Sequence, residues 1–357
     1  MAPEHATHTR RFERLANAAV DLATLPDQLL EALAHAVPFD SYCWVPIDPR
    51  SLLPTSGMGT TISFPSPVVW EEQELIARNV EPGDLRSLAR AGRSVALLSE
   101  IVGERKDQSL IYRRVLHPNG LEHQLRCTLA LDGVHWGQLH IERRSDRPDF
   151  SSSEVAVVEA LAPHLAHVFR RWLIAEPAAT RCTTRSVIPG VIVLDEDNEV
   201  DSISPEAEHW LNDWGLSDLK RPPVALSAVV GAARARADGY SDAIPSARLR
   251  LKTGAWLHVR ATHLARPDRK LCTAVVLERA APDQVAPLIA RANQLTARET
   301  EIAMLVLRGR STSEIAAGLF ISPYTVQDHL KSIFEKVGVR SRRELATQIF
   351  EPHCQAA

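Results

Sequence analysis

Residues 311–338, which read STSEIAAGLFISPYTVQDHLKSIFEKVG, decide the fold of the C-terminal part of the chain. Ser311 with Glu314 three positions later is a capping box that opens a short helix. Ser322 followed by Pro323 is an N-cap with proline at the first helical position, where its missing N–H is harmless. Because only a short turn separates these two predicted helices, the stretch predicts a helix-turn-helix.

Two further helices flank this pair. Thr296 with Glu299 is a second capping box, and Ser341 with Glu344 is a third. Each box precedes apolar residues at helical spacing. Residues 295–357 are therefore expected to form an all-α domain of four helices.

The third helix of this domain has two chemically different faces. Its apolar face is formed by Val326, Leu330, Ile333, Phe334 and Val337. Its polar face is formed by Tyr324, Gln327, Asp328, Lys331 and Glu335. Gln bonds adenine, Asp accepts from the cytosine amino group, and Lys donates to guanine or phosphate. Gln327, Asp328 and Lys331 are therefore the expected base-reading residues, with a plain solvated face as the alternative.

The start of this helix suits phosphate contacts. Ser322 and Thr325 carry hydroxyl groups beside an exposed helix N-terminus, where backbone N–H groups attract anions. We also expect Tyr324, Lys336 and Arg342 to contact the DNA backbone. For Arg342, pairing with a nearby acidic side chain remains an equal alternative.

The C-terminal segment resembles the LuxR/FixJ-type helix-turn-helix over about 60 residues. The resemblance is carried by Leu295–Ile302, Gly309, Ser311–Ala316, Leu319, Ser322–Val326, His329 and Lys336–Arg342. It implies that the third helix is the recognition helix and that the fourth supports dimerisation. Gln327, Asp328 and Ser313 depart from residues common in the family, so the resemblance does not supply the operator sequence.

Residues 11–175 are expected to form an α+β domain. Asp132-Gly133 between two strand-like runs is a hairpin signal, and Ser151 with Glu154 opens a long closing helix. With the lead at Arg147–Phe150, this order resembles a GAF sensor domain of the type that precedes DNA-binding helices in actinobacterial regulators. Candidate pocket residues, for which ordinary core packing is the alternative, are Trp44, Tyr112, Cys127 and Trp136.

Residues 186–280 follow a linker-like segment at 176–184. A strand, an acidic turn, a second strand and a helix fill 189–211, and this opening resembles a PAS domain. A generic α+β module is the alternative. Residues 281–294 are expected to form a linker helix. The predicted fold class is therefore multidomain, with two α+β modules followed by an all-α helix-turn-helix domain.

The composition excludes several classes of protein. A net charge of −3 excludes a generally basic nucleic-acid-coating protein, although residues 331–343 carry a local charge of +4. Five scattered cysteines, no apolar leader and no apolar run long enough to span a bilayer favour a cytoplasmic location. No catalytic, phosphate-binding or metal-ligand motif is present, so we expect no enzyme, no cofactor and no metal.

These features predict a sequence-specific transcription regulator whose N-terminal modules sense a signal or hold a homodimer. The expected partners are two-fold symmetric double-stranded DNA, a second copy of the chain, RNA polymerase and an unknown small-molecule effector, with no membrane. The alternative is an enzyme or a small-molecule-binding protein with an appended DNA tether.

Overall fold

The structure is a computed structural model that describes residue 12 and residues 25–55, 59–60, 66–78, 83, 85–103, 105–174, 188–216, 223–251, 255–265 and 271–350. The described residues form two compact units. Unit 1 is drawn from 1–172, 188–249 and 258–278, and unit 2 from 173–187, 250–257 and 279–357. The predicted linker at 176–184 lies outside the described residues.

The first part of the chain contains a five-stranded antiparallel sheet in the order β2-β1-β5-β4-β3. Its elements are α1 (Leu25–Ala36), β1 (Ser41–Pro46), β2 (Gly59–Thr60), α2 (Ser66–Ala77), α3 (Leu85–Arg90), β3 (Val95–Leu97), α4 (Leu98–Val102), β4 (Leu121–Leu131), β5 (Val134–Arg144) and α5 (Ser152–Ile174). Short helical turns at 106–119 join α4 to β4.

Both local signals predicted for this part are confirmed. Asp132 and Gly133 join β4 to β5 with φ of 53° and 73°, as a two-residue hairpin turn requires. At the start of α5, the Ser151 N–H donates to the Glu154 carboxylate at 2.8 Å, which is the return bond of the capping box.

A second five-stranded sheet has the order β7-β6-β10-β9-β8. Its elements are β6 (Gly190–Leu194), β7 (Val200–Ile203), α6 (Pro205–Trp214), α7 (Val224–Ala237), β8 (Ser246–Arg250), β9 (Trp256–Ala265) and β10 (Leu271–Arg279). The predicted strand–turn–strand–helix opening is confirmed. In its turn, Asp195 Oδ1 accepts from the N–H groups of Asp197 and Glu199, each at 2.9 Å.

Helix α7 was not predicted, because it lacks an amphipathic period. Its residues from Ala225 to Ala233 are buried on every side. A helix that is covered all round needs no polar face, so its sequence shows no 3.6-residue alternation.

Apart from the ends of β8, β9 and β10, the two sheets belong to unit 1, and the contacts that connect them include the following two. Helix α2 packs on α7 so closely that a Cβ on Gly231 would lie 2.9 Å from the Gln73 carbonyl oxygen. Beyond β1, the buried Asp48 carboxylate pairs with the buried Arg248 of β8. Asp48 Oδ2 accepts from the Arg248 N–H at 2.9 Å and Nε at 2.8 Å, and Oδ1 accepts from Nη2 at 2.5 Å.

Five consecutive helices occupy residues 282–350 of unit 2. They are α8 (Pro282–Ala292), α9 (Ala297–Leu307), α10 (Thr312–Leu319), α11 (Pro323–Val337) and α12 (Arg342–Phe350). The four predicted helices of this domain are confirmed, with the capping boxes at the starts of α9 and α10 and the Ser322 cap on α11. Helix α8 packs on α9 and α12. Among the described helices, none is long and apolar enough to cross a bilayer.

One buried carboxylate ties α9 to α11. Glu299 is 4% exposed and accepts from Lys336 Nζ at 2.6 and 2.9 Å, from Ser332 Oγ at 2.6 Å and from the Thr296 N–H at 2.7 Å. Burial alone would raise the pKa of Glu299, but these hydrogen bonds lower it to about 2.

Breaking the Asp48–Arg248 pair is expected to destabilise unit 1. Arg248→Met leaves a buried carboxylate without its cation, which costs about 3–5 kcal/mol in comparable buried pairs. Hydrogen exchange of the β1 and β8 amides reports the free energy of opening. As a control, Arg93→Met removes an exposed pair with Glu100 and is expected to cost about 1 kcal/mol or less. Equal losses in the two variants would contradict this prediction.

Replacing Glu299 is expected to loosen α9 from α11. Glu299→Gln removes the charge that Lys336 contacts and is expected to lower the free energy of opening by about 1–3 kcal/mol. Because the folded pKa lies below the ordinary value of 4.5, the wild type loses this stabilisation as the pH falls from 4.5 to about 2. Hydrogen exchange of α9 and α11 amides across this pH range is the measurement.

The control for this prediction is Glu301→Gln on the same helix. Glu301 is exposed and pairs with Arg298 at 2.7 Å, so its loss is expected to cost little. A Glu299→Gln variant whose acid profile matched that of the wild type would show that Glu299 is not the titrating group.

Candidate nucleic-acid interface

The first turn of α11 presents hydroxyl groups and an aromatic ring to solvent. The Ser322 side chain accepts from the Thr325 N–H at 3.0 Å, and the two hydroxyl oxygens are 2.9 Å apart. Tyr324 is 73% exposed. The cap therefore holds the predicted phosphate-contacting hydroxyls in one place at the helix N-terminus, where the helix dipole favours an anion.

The predicted polar face of α11, which we call the polar stripe, is exposed to solvent beyond the first turn. Gln327, Asp328 and Lys331 are exposed, as is Glu335 one turn further. On the opposite face, the four residues Val326, Leu330, Ile333 and Val337 are buried, while Phe334 is half-buried. The buried face orients the helix, so the three predicted base-reading side chains point away from the domain core.

Two predicted backbone-contacting residues have partners within the domain. Lys336 binds the Glu299 carboxylate, and Arg342 donates to the Arg310 carbonyl at 2.9 Å and to Thr312 Oγ1 at 2.7 Å. These contacts position α11 and α12. Because both side chains already have partners within the domain, their contact with DNA stays a prediction.

The remaining positive charge lies beside the stripe. Within the described part of the chain, Lys331, Arg340 and Arg343 have no ion-pair partner. An open groove is lined by Gln327 and Lys331 of α11 together with Arg340 and Arg342. The structure thus brings two predicted base-reading residues next to cations that follow the helix, an arrangement that can bind a polyanion.

The four predicted pocket residues lie in different surroundings in the first part of the chain. Trp44 packs edge-to-face on Phe169 of α5, with ring centroids 4.8 Å apart. Cys127 is fully buried, and burial raises the pKa of its thiol. The Tyr112 hydroxyl donates to Glu122 at 2.9 Å. Trp136 is also buried.

A small cavity of about 40 Å³ lies elsewhere in unit 1, and none of those four residues lines it. Arg126, Gln138 and His140 supply polar groups among apolar neighbours that include Ile47 and Ile76. Burial, followed by the charge of Arg126, lowers the pKa of His140 to about 3, so its imidazole is neutral at pH 7. The cavity has room for a few waters or a small ion, whereas drug-sized ligands need about 300–1,000 Å³.

Sequence reasoning missed these polar residues, although a signal for them exists. Polar and apolar side chains alternate along parts of β4 and β5. The register of the two strands places Arg126 opposite His140. A period of two places such residues on one face of a sheet. Among the described residues, no group of three or more His, Cys, Asp or Glu side chains is arranged to hold a metal ion.

One example of a solved structure with similarity to the chain shows only a weak likeness. A GAF domain/HD domain protein from Geobacter sulfurreducens aligns with 43% of this chain and 96% of that chain at 18% identity and a TM-score of 0.30. Similarity at this level does not assign a fold to either sheet.

The C-terminal domain has clear relatives. The model of the family "Bacterial regulatory proteins, luxR family" matches residues 293–349. The chain is 41% identical over 68 residues to the transcriptional regulatory protein DesR of Bacillus subtilis, covering 19% of this chain and about a third (34%) of DesR. It is 38% identical over 55 residues to the spore germination protein GerE of Bacillus subtilis, covering 15% of this chain and 74% of GerE. The chain therefore belongs to the luxR family of bacterial regulatory proteins.

Proposed function

We propose that this protein is a homodimeric, sequence-specific transcription regulator that binds double-stranded DNA through α11. The observation that carries the proposal is the exposed polar stripe of α11, which stands opposite a buried apolar face in a helix-turn-helix domain. A helix of this kind fits the major groove, where base edges are distinguishable.

Each residue of the stripe has a distinct role in this proposal. Gln327 bonds adenine, Asp328 accepts from a cytosine amino group, and Lys331 donates to guanine or to a phosphate. The DNA backbone is contacted by Ser322, Tyr324, Thr325, Lys336 and Arg342. Because Asp328 repels phosphate, base pairs that offer it a donor compensate for the repulsion, which favours selective binding over general binding.

The charge distribution supports the same selectivity. The whole chain carries −3, while the positive charge is concentrated at the end of α11 and in the turn after it. An acidic bulk weakens binding to arbitrary DNA, and a small basic patch makes the remaining binding sensitive to salt.

The N-terminal modules have the regulatory role in this proposal. We assign residues 11–175 to a GAF-like module and residues 186–280 to a PAS-like module, which modulate DNA binding in response to a small-molecule effector in the cytoplasm. The packing of α2 on α7 supports this role, since it gives a change in one module a direct path to the other. RNA polymerase is the further partner proposed for the DNA-bound state.

Removing base-reading side chains is expected to weaken and broaden DNA recognition. Gln327→Ala and Lys331→Ala should each cost about 1–3 kcal/mol on the preferred sequence and relax the preference at one base pair. If Lys331 contacts a phosphate instead, its loss reduces the slope of log binding constant against log salt concentration by about one. The base preference then stays intact. Selection from a random DNA pool, followed by fluorescence anisotropy at several salt concentrations, measures both quantities.

Arg308→Ala is the matched control, because Arg308 is an exposed cation at the end of α9 and lies outside the proposed interface. It is expected to keep the base preference of the wild type. A wild-type protein that enriches no sequence from the random pool would refute the proposed function.

The protein is also expected to bind its operator as a dimer. One helix-turn-helix covers few base pairs, so two copies should occupy half-sites about 10 base pairs apart. Light scattering of the protein on its selected DNA measures the stoichiometry. A single 39.4 kDa chain on the DNA at every concentration would count against the dimer.

A further inference from the structure

Phe320 has an unusual conformation in the turn between α10 and α11. It has φ of 54° and ψ of 43°, in the left-handed region, and is 95% exposed. This conformation closes α10, since it allows the Ile321 N–H to donate to the Ala316 carbonyl at 3.1 Å. Left-handed closure of a helix is ordinary, but a phenylalanine in that position is not.

Phenylalanine is unfavourable here for two independent reasons. A side chain with a Cβ is strained in the left-handed region, and glycine or asparagine would avoid the strain. An exposed aromatic ring also gains nothing from burial. Within the described part of the chain, the ring is almost fully exposed, so packing in the folded domain does not offset either cost.

The surroundings of Phe320 belong to the proposed DNA-binding surface. It lies two residues before the Ser322 cap of α11, and the 73% exposed Tyr324 follows one turn later. The Arg298 guanidinium also reaches this turn, where it donates to the Leu319 carbonyl at 2.9 Å. Phe320 and Tyr324 thus place two exposed aromatic side chains at the N-terminal end of the recognition helix.

We infer that Phe320 contacts the apolar atoms of DNA beside the half-site that α11 reads. This inference rests on the proposed function. In a helix-turn-helix, the N-terminal end of the recognition helix is the part that contacts base edges, which places the neighbouring turn close to the DNA. DNA offers a side chain two kinds of apolar surface there, the thymine C5-methyl group and the deoxyribose ring.

The test is Phe320→Asn, which removes the ring and keeps a residue that tolerates the left-handed conformation. The affinity for the sequence selected by the wild type is expected to fall about fourfold or more, as loss of at least one methyl-sized apolar contact implies. The melting temperature of the full chain is expected to stay unchanged or to rise, because the strain is relieved. A residue with a merely structural role would change the melting temperature downward and leave the affinity unchanged.

A second arm identifies the apolar group on the DNA. Each thymine of the selected sequence is replaced in turn by uracil, which lacks the C5-methyl group. If one replacement weakens the wild type and has no effect on Phe320→Asn, the ring contacts that methyl group. If Phe320→Asn weakens binding and no replacement distinguishes the two proteins, the contact is with deoxyribose.

Ile188→Asn is the matched control, since Ile188 is a 61% exposed apolar residue in unit 1. It is expected to leave the DNA affinity unchanged. A Phe320→Asn variant that binds DNA as tightly as the wild type overturns the inference. If that variant also loses transcription activation, the partner of Phe320 is RNA polymerase instead. Failure of the proposed function looks different, because then the wild type itself selects no DNA.

Discussion

The contact between Glu299 and Lys336 fixes the orientation of α11 in the C-terminal domain. A buried carboxylate on α9 receives Lys336 and Ser332 from α11 and the Thr296 N–H from its own cap. The same residue therefore caps one helix and orients another. Because α11 is fixed by this contact on one side and by its apolar face on the other, Gln327, Asp328 and Lys331 can only point outward.

Unit 1 depends on a comparable buried pair. Asp48 and Arg248 are 200 positions apart in the chain, yet three hydrogen bonds join them. Gly231 permits α7 to approach the backbone of α2 where a larger residue would collide. The small polar cavity is lined on one side by α2 residues, including Gln73, and Ile47 next to Asp48 also lines it. Gln73 and Ile47 thus place the cavity directly beside two of the contacts between the sheets.

The helix-turn-helix could be predicted almost completely, because local capping residues such as Thr296, Ser311 and Ser322 mark where its helices begin. The hairpin at Asp132 and the opening of the second sheet were predictable for the same reason. Helix α7 was not, since burial on all sides removes the periodicity that marks a helix. The polar lining of the cavity was also not predicted, since alternation along β4 and β5 marks one face of a sheet but does not show that a cavity lies against it.

Local sequence patterns were enough to predict the family, the order of the four helices from α9 to α12 and the face of α11 that carries polar side chains. Which cations remain without a partner in the domain depends on how the helices pack. Lys336 and Arg342 count as cations in the sequence, but Glu299, Arg310 and Thr312 engage them in the folded domain. Only the tertiary structure showed that Phe320 is exposed, because exposure depends on contacts between residues that are distant in the chain.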